Sequence, residues 1–397
     1  GYENTSFSGS LSQRVSPRHE LGLSLYSTDG NVYYDNAFGT PTQQHLSKQR
    51  LEALSGWWEA KPLESWTSRV TLGQGTDERK DLLDGMPSSP SKTRNRQVSW
   101  NNDLRVAPGH TVSLGAELLR QEIRNSGIAQ PQRRDVDVLR AGYVGRIGRH
   151  SAQLNLRSED YSDFGSADTY FAGYGFDLSK DWKLLASAGS AFRAPTFLDL
   201  FGFLGSGANP DLKPERARTK ELGVQWARGA HRVRLVGFDT EYQDAIVFSA
   251  GQSRNVGEAS VEGAELSYEG RLAGFDLRAS LTSQKAIEQE PGQPPMDAVR
   301  RAREHGSLSA HRSFGRLRLG GEVLSSGARP DIDIDSFTGA RVRTPGYTVV
   351  NLQARYALTR AWYLAARLEN ALDEEYRLID GYNTAGRGLF VSVGWTP

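Results

Sequence analysis

The sequence predicts an all-β fold, a transmembrane antiparallel β-barrel built from long hairpins. Three observations lead to it: tight-turn signals recur along the chain, apolar and polar residues alternate between them, and tryptophans lie just beyond several turns. The 397-residue chain has no cysteine and a formal net charge of +1. Disulfides, zinc–thiolate sites and thiol catalysis are therefore excluded, and nothing in the charge indicates a nucleic-acid binder.

Nine tight-turn signals divide the chain into hairpins, and longer connections at 28–44, 76–92 and 288–300 lie between them. The turn signals lie at 16–19, 61–64, 107–110, 148–150, 179–181, 227–230, 272–274, 313–315 and 358–360. Each repeat is predicted to hold two strands of about 10 to 15 residues, long enough to cross a bilayer when tilted. A β-propeller has a similar period but fits four short strands into it.

Alternation is clearest in the last strands of the chain. In residues 351–358, Leu352, Ala354 and Tyr356 share one face, while Arg355 belongs to the other. A shift of one residue would move Arg355 into lipid, at a cost of about 2–4 kcal/mol near the bilayer midplane. A soluble sandwich could show the same alternation, and the number and length of the strands favour the barrel.

Tryptophans mark one predicted membrane interface. Trp66, Trp182 and Trp362 each follow a tight turn by one or two residues, and Trp395 lies at the end of the chain. Aromatic girdles at the interfaces are typical of membrane barrels. The alternative is a set of tryptophans scattered through the core of a sandwich.

The strand count predicts a partial barrel. Nine turns join eighteen strands, and the segment from Arg387 to Pro397 adds a nineteenth. Bacterial single-chain barrels close with an even number of strands and have both ends on one side. We therefore expect residues 1–397 to form a single, incomplete barrel domain that lacks an odd number of N-terminal strands.

Several motifs, in order along the chain, resemble TonB-dependent outer-membrane receptors. The motifs are FRAP (192–195), NPDL (209–212), FDTEYQDAIVF (238–248), RNVGEASVEGAEL (254–266), LENALDEEYR (368–377) and GYNTAGRGLFVSVGW (381–395). Within this family, LFGFLG (200–205) and GYNTAGR (381–387) look most like the vitamin B12 (cobalamin) receptor type. The terminal Trp-Thr-Pro departs from the family, whose barrels usually finish on an aromatic residue.

The resemblance implies a 22-stranded barrel, plugged by an N-terminal globular domain that follows a TonB-binding box. About 19 of 22 strands would then be present, and the plug and the first strands would be absent. The implied function is active uptake of cobalamin across the outer membrane of a Gram-negative bacterium, with no enzyme activity and no covalent cofactor. The implied partners are a small-molecule ligand, TonB through the missing N-terminal region, and outer-membrane lipid, around a monomer.

Three other functions stay open. A ferric-siderophore receptor would belong to the same family, whereas a passive porin-like barrel would lack a plug. A soluble β-rich carbohydrate-binding protein would have no membrane at all. Haem uptake is not favoured, because haem receptors of this family carry a histidine between the FRAP and NPDL motifs, and residues 196–208 contain none.

Aromatic residues of the long loops are the candidate substrate contacts. A corrin is a broad, partly apolar disc, so apolar contacts with a few hydrogen bonds would suit it. The candidates are Tyr33, Tyr34, Phe38, Phe201, Phe203 and Tyr382, with Phe197 beside them. For Phe201 and Phe203, packing inside their own loop is an equal alternative.

Aspartates of the first two long loops are the candidate metal ligands. Calcium takes six to eight oxygen ligands, often several carboxylates on flexible loops, and the resemblance implies such a calcium site. The candidates are Asp29, Asp35, Asp77, Asp81 and Asp84. Arg79 and Lys80 dilute this cluster, and a set of solvated acidic loops is the alternative. Of the seven histidines, four fall at tight turns and none has a partner at ligand spacing.

Overall fold

The computed structural model describes residues 1–397 except 35–39, 41, 129, 203–206, 250, 256, 290, 291, 334–338 and 397. These residues form two compact units. The first unit contains Gly1–Gly173, Gly189–Ala217 and Asp244–Val256. The second unit contains Tyr174–Ala188, Arg218–Gln243 and Gly257–Pro397.

The first unit is dominated by eight strands in a row. They are β1 (Tyr2–Ser16), β2 (His19–Tyr34), β3 (His45–Leu63), β4 (Trp66–Leu83), β5 (Met86–Ala107), β6 (His110–Asn125), β7 (Gln132–Ile147) and β8 (His150–Tyr161). Each strand pairs antiparallel with the next along the chain. This unit also holds the helix α1 (Phe197–Phe201) and a small hairpin of β13 (Ile246–Ser249) and β14 (Gln252–Asn255).

Three further strands contribute residues to both units, namely β9 (Gly165–Asp177), β10 (Trp182–Arg193) and β11 (Glu215–Arg228). The main strands of the second unit are β12 (His231–Gln243), β15 (Glu258–Leu272), β16 (Phe275–Gln289), β18 (Glu304–Phe314), β19 (Leu317–Ser326), β22 (Tyr347–Ala357), β23 (Trp362–Glu369) and β24 (Gly388–Trp395). They pair antiparallel in that order. Its short strands are β17 (Met296–Asp297), β20 (Arg329–Ile332) and β21 (Arg341–Thr344).

The predicted all-β fold is confirmed. In the described part of the chain, one sheet contains twenty strands, of which β17 has two residues and the other nineteen have eight or more. The number of long strands agrees with the count from the turn signals. All nine predicted tight turns join consecutive long strands, as at Pro17–Arg18 between β1 and β2 and at Pro108–Gly109 between β5 and β6.

The long connection predicted at 76–92 is wrong. Strands β4 and β5 continue through it as a paired ribbon and reverse at Asp84 and Gly85, which both have positive φ values of 50° and 82°. An Asp-Gly pair is the sequence signal for such a hairpin turn, because both central residues adopt a left-handed conformation. Continued cross-strand pairing satisfies the backbone polar groups that a loose loop would expose.

The two faces of the first unit's sheet differ in polarity. In the register of β4–β7, Trp100 pairs with Val70 and Ala116, and Ala116 pairs with Leu139. One residue further along β5, the equivalent row is Arg69, Asn101, Gly115 and Arg140. We call the first set the apolar face and the second the polar face. Leu118 and Leu139 are 59% and 67% exposed on the apolar face, as expected of side chains that contact lipid.

The predicted tryptophan positions also agree with the structure. Trp66, Trp182 and Trp362 are the first residues of β4, β10 and β23. Trp395 ends β24 and is the register partner of Trp362, and both are about half exposed. Among the described residues, no helix is long and apolar enough to cross a membrane.

Candidate functional site

The corner between β10 and β11 is organised by the short helix α1. Thr196 caps the helix: its hydroxyl accepts a hydrogen bond from the Asp199 amide at 3.1 Å. In return the Asp199 carboxylate accepts hydrogen bonds from the Thr196 amide at 2.9 Å and hydroxyl at 2.7 Å. This reciprocal capping box satisfies amides that a helix of five residues would otherwise leave free. Gly202, with a φ of 70°, ends the helix.

Asp199 also connects α1 to the β13–β14 hairpin. Its second carboxylate oxygen accepts a hydrogen bond from the Ser253 hydroxyl at 3.0 Å. Asn209 donates its side-chain amide to the Ser253 carbonyl at 2.9 Å. Burial raises the pKa of Asp199, but the hydrogen bonds from Thr196 and Ser253 and the charge of Arg193 outweigh it and hold that pKa below its ordinary value. The carboxylate is therefore ionised at neutral pH.

Ion pairs join the two strands that enter and leave the corner. Arg193, the last residue of β10, contacts Glu215, the first residue of β11, at 2.6 Å and lies 3.5 Å from Asp199. Glu215 also accepts a hydrogen bond from the Ile246 amide at 2.5 Å. The arginine of the FRAP motif is thus neutralised by two carboxylates within its own corner.

An apolar cluster lies beneath these polar links. Leu200, Leu212 and Ile246 are each no more than 9% exposed, and Phe201 packs against them. Asn255 connects the same elements: its side chain accepts from the Lys213 amide at 2.9 Å and donates to the Lys213 carbonyl at 2.9 Å. The residues of the NPDL motif are therefore held on both sides, by side-chain packing and by hydrogen bonds.

Arg134 of β7 supports the start of the corner. It is 4% exposed, contacts Asp163 at 2.6 Å and donates a hydrogen bond to the carbonyl of the buried Pro195 at 3.0 Å. Its guanidinium lies 5.1–5.6 Å from the ring centroids of three aromatic residues, Tyr161, Phe164 and Phe197. Such contacts with aromatic faces stabilise a desolvated cation. Sequence reasoning missed Arg134, whose partners lie about 30 and 60 residues away along the chain.

A second cluster of loop residues surrounds Asp331 in the second unit. This carboxylate is fully buried and accepts four hydrogen bonds. The donors are Arg300 Nε at 2.8 Å, the Ile332 amide at 2.8 Å, the Asp380 amide at 2.9 Å and the Thr344 hydroxyl at 3.1 Å. Burial raises the pKa of Asp331, and the hydrogen bonds from Asp380, Ile332 and Arg300 lower it below its ordinary value. Arg329 donates to the carbonyls of Arg377 and Leu378, so the 377–382 segment is held from two sides.

The predicted substrate-contacting aromatics fall into different environments. Tyr382 is 49% exposed and is carried by the segment that Asp331 holds. Phe201 packs partly into its own loop, and Phe197 is buried, whereas the neighbouring Leu198 is 46% exposed. Phe38 and Phe203 lie outside the described residues. The role of Phe201 and Tyr382 in binding stays a prediction.

Tyr33 and Tyr34 point to opposite faces, because successive side chains of a strand alternate. Tyr33 shares its face with Leu21, Leu23 and Leu25 of β2, which belong to the apolar face. Tyr34 belongs to the polar face and contacts His45, with the ring centroids 5.3 Å apart and the rings tilted by 35°. Of these two tyrosines, only Tyr34 could contact a ligand on the polar side of the sheet.

The predicted calcium ligands do not fit one ion as a set. Asp29 lies on the apolar face of β2 and 3.7 Å from Arg50, while Asp77 and Asp81 lie on the polar face of β4. Asp81 is engaged by Arg79 at 2.9 Å, and these aspartates lie on paired strands rather than in a flexible loop. Asp84 accepts a hydrogen bond from the Gln44 amide at 2.9 Å. Asp35 lies outside the described residues, and in the described ones no three acidic, histidine or cysteine side chains are arranged to hold a metal.

Comparison with known proteins identifies the class to which this fold and these loop corners belong. Residues 1–371 match the family described as TonB dependent receptor-like, beta-barrel. The chain therefore belongs to the TonB-dependent receptor β-barrel family, whose members are receptors rather than enzymes.

Curated relatives are similar over the whole chain. The vitamin B12 transporter BtuB of Photobacterium profundum is 24% identical over 99% of this chain, and that of Vibrio vulnificus is 25% identical over 100%. The chain spans 64% and 65% of the length of these two relatives.

Solved structures of low sequence identity share the fold. The FrpB iron transporter of Neisseria meningitidis (F3-3 variant) superposes with a TM-score of 0.83 at 14% identity, covering 99% of this chain and 71% of that one. The siderophore receptor PirA of Acinetobacter baumannii has a TM-score of 0.83 at 15% identity, with the same coverage.

Proposed function

We propose that this chain forms the barrel of a bacterial outer-membrane, TonB-dependent transporter that takes up cobalamin. The names of its curated relatives support this substrate. The histidine-free interval 196–208 between the two motifs of the corner disfavours haem. Loops at the long-loop end would capture the ligand, and a plug would close the barrel interior until TonB pulls on it. The receptor would act as a monomer surrounded by outer-membrane lipid.

The observation that carries the substrate proposal is the use of charge in the corners. Arg193 is paired with two carboxylates, Arg134 with Asp163, and Arg300 with Asp331. These cations are already neutralised, so they offer little attraction to an anionic iron chelate. A large, partly apolar ligand needs preformed apolar surface and a few hydrogen bonds instead.

The corner is held in shape by its own contacts, which would favour binding of a ligand there. Its hydrogen bonds and apolar cluster are internal, so little ordering entropy has to be lost on binding. The exposed side chains of Leu198 and Tyr382 are the apolar and aromatic surface that the two loop clusters present. The α1 corner and the Asp331 cluster each hold their own loop, so the contribution of Leu198 and that of Tyr382 to ligand binding can be tested separately.

A ferric-siderophore receptor is the second candidate. Arg254 of β14 and Arg343 of β21 are exposed and have no carboxylate partner in the described part of the chain. Such free cations suit an anionic chelate. Iron-transporting solved structures of the same fold support this alternative. A passive porin-like barrel is less favoured, because it would not need the tightly linked corner.

The test is a direct comparison of ligands. The protein encoded by the complete reading frame that contains this chain is purified in detergent, and its affinity for cyanocobalamin is compared with that for ferric enterobactin. Tight binding of cyanocobalamin alone supports the proposal, and tight binding of the chelate alone refutes the substrate. If the chelate is the ligand, Arg254→Gln and Arg343→Gln, each made singly, should weaken its binding. If cyanocobalamin is the ligand, these two variants should bind it like the wild type and Leu198→Ser should bind it more weakly.

A further inference from the structure

Aromatic rings surround the buried guanidinium of Arg134. Its central carbon lies 5.1–5.6 Å from the ring centroids of Tyr161, Phe164 and Phe197. Phe192, the first residue of the FRAP motif, packs edge-on against two of these rings, with centroid distances of 5.6 Å to Tyr161 and 6.5 Å to Phe164. Aromatic faces attract a desolvated cation, and edge-to-face ring pairs stabilise one another. We call these four aromatic residues the Arg134 cage.

The cage joins two connections of the first unit. Asp163 and Phe164 belong to the β8–β9 connection, which two hydrogen bonds fix to β7 beside Arg134. The Ser162 hydroxyl accepts a hydrogen bond from the Asp135 amide at 2.9 Å, and the Ser162 amide donates to the Asp135 carbonyl at 3.0 Å. The α1 corner meets this fixed connection through the Arg134 cage.

Arg134 acts on the corner at one backbone atom. Its guanidinium donates a hydrogen bond to the Pro195 carbonyl at 3.0 Å, and Pro195 is fully buried. The next residue, Thr196, caps α1, and Leu198 follows in the first turn with 46% of its surface exposed. Since the capping box makes the start of α1 a rigid turn, a shift at the Pro195 carbonyl would also shift the Leu198 side chain.

The ion pair between Arg134 and Asp163 is buried on one side only. The Arg134 side chain is 4% exposed, whereas that of Asp163, 2.6 Å away, is 28% exposed. If methionine replaced the arginine, Asp163 could turn to water, so no charge would stay buried without a partner. The aromatic rings could still pack against the flexible methionine side chain. What methionine cannot supply is the planar fork that holds a carboxylate and the Pro195 carbonyl at once.

We propose that Arg134 is a positioning residue for ligand capture. It fixes the Pro195 carbonyl, and through it the exposed Leu198, relative to the wall that β7 and the β8–β9 connection form. Arg134 is itself too deeply buried to contact a ligand. Its effect on affinity passes through the corner, because a contact surface that is already ordered loses less conformational entropy on binding. This inference rests on the proposed role of the α1 corner in ligand binding.

The experiment is a double-mutant cycle on the protein encoded by the complete reading frame that contains this chain. The affinity for cyanocobalamin is measured for the wild type, Arg134→Met, Leu198→Ser and the double variant. Arg134→Met should bind about tenfold more weakly than the wild type, a factor that corresponds to about 1.4 kcal/mol, because one charge-assisted hydrogen bond is lost. In the Leu198→Ser background the same substitution should have little effect, since the side chain that it misplaces is already removed.

Arg140→Gln is the matched control on the same strand. Alternation places Arg140 on the same face of β7 as Arg134, and its contacts are with Glu117 of β6 at 3.6 Å and Asn101 of β5 at 2.8 Å. This control should bind cyanocobalamin like the wild type. Hydrogen exchange of residues 193–200 should accelerate in Arg134→Met and stay unchanged in Arg140→Gln.

Wild-type affinity of Arg134→Met would overturn the inference, as would single effects that simply multiply in the double variant. If Arg134→Met loses its heat-modifiable gel mobility, Arg134→Lys replaces it: lysine keeps the charge but lacks the planar fork, so this variant should also bind more weakly. Loss of folding in both variants would assign Arg134 to the stability of the barrel and refute the positioning role. If the wild type binds no cyanocobalamin, the proposed substrate fails, and unchanged exchange of residues 193–200 in Arg134→Met would then refute the role of Arg134 as well.

Discussion

Asp331 allows the most quantitative prediction from this structure. The substitution Asp331→Ala removes a fully buried acceptor of four hydrogen bonds. Three of the donors, the Ile332 amide, the Asp380 amide and the Thr344 hydroxyl, would lose their partner inside the cluster. Each such loss costs at least about 1 kcal/mol. Arg300 is partly exposed and can turn to water, so the loss of its bond adds little.

The expected local destabilisation is therefore about 3 kcal/mol, which corresponds to roughly a 150-fold larger opening constant. Hydrogen exchange measured by mass spectrometry should show this acceleration in two separate segments, 329–332 and 378–382. The paired strand β5 should keep its protection, because it is paired with β4 on one side and β6 on the other.

The control for this prediction is Asp297→Ala. Asp297 pairs with Arg303 at 3.0 Å, but both side chains are well exposed, so its loss should cost less than about 1 kcal/mol. Unchanged exchange in the 378–382 segment of Asp331→Ala would contradict the reasoning, because it would mean that the buried carboxylate does not hold that segment.

The same cluster should respond to acid. The pKa of Asp331 in the folded protein lies below its ordinary value of 3.8, so its stabilising effect is fully present above that value. The effect is lost as the pH falls below 3.8 and through the lowered pKa. Exchange of the 378–382 segment, corrected for the intrinsic pH dependence, should therefore accelerate only below about pH 4. Loss of protection already at about pH 5 to 6 would point to another group.

Three further predictions concern the corner, the sheet and calcium. Leu200→Ala should destabilise the α1 corner by about 2–5 kcal/mol and speed proteolysis there, whereas Leu198→Ala, at an exposed position, should not; equal proteolysis would contradict the packing described for the cluster. Gly263→Ala should prevent correct assembly, since an added Cβ would lie 2.4 Å from a backbone oxygen of the paired strand, while Gly237→Ala has only ordinary contacts and should give heat-modifiable protein. Replacing Asp77 and Asp81 together by asparagine should leave the calcium affinity unchanged in isothermal titration calorimetry, because these residues lie on the opposite face from Asp29 and Asp81 is paired with Arg79; a loss of affinity would support the predicted calcium site.

Local sequence patterns predicted much of the fold. Turn signals located nine strand reversals, and alternation assigned the faces of the strands, because both depend on residues a few positions apart. The same rules extended to the β4–β5 ribbon would have found its turn at Asp84 and Gly85. The prediction of a loose connection there is wrong because these polar residues form paired strands.

The loop clusters could be predicted only in part. The FRAP and NPDL motifs marked the corner, and the Thr196–Asp199 spacing is that of a capping box. By contrast, no local signal distinguishes Asp331 from the other acidic residues of its loop, and the partners of Arg134 are far away in the sequence. The aspartates predicted to bind calcium were assigned to two neighbouring loops, but Asp29 lies on the opposite face of the sheet from Asp77 and Asp81.

The sequence by itself determined the class of fold, the number of long strands and the face to which each strand residue belongs, because these follow from short-range alternation and turn chemistry. Only the tertiary structure decided which charges are neutralised. Arg193 meets Glu215 across the corner, whereas Arg96 meets Arg120 across two strands, and neither pairing can be read from local composition. The difference arises because register and loop packing bring together residues that are distant along the chain, and the energy of a charge depends on the neighbours it then meets.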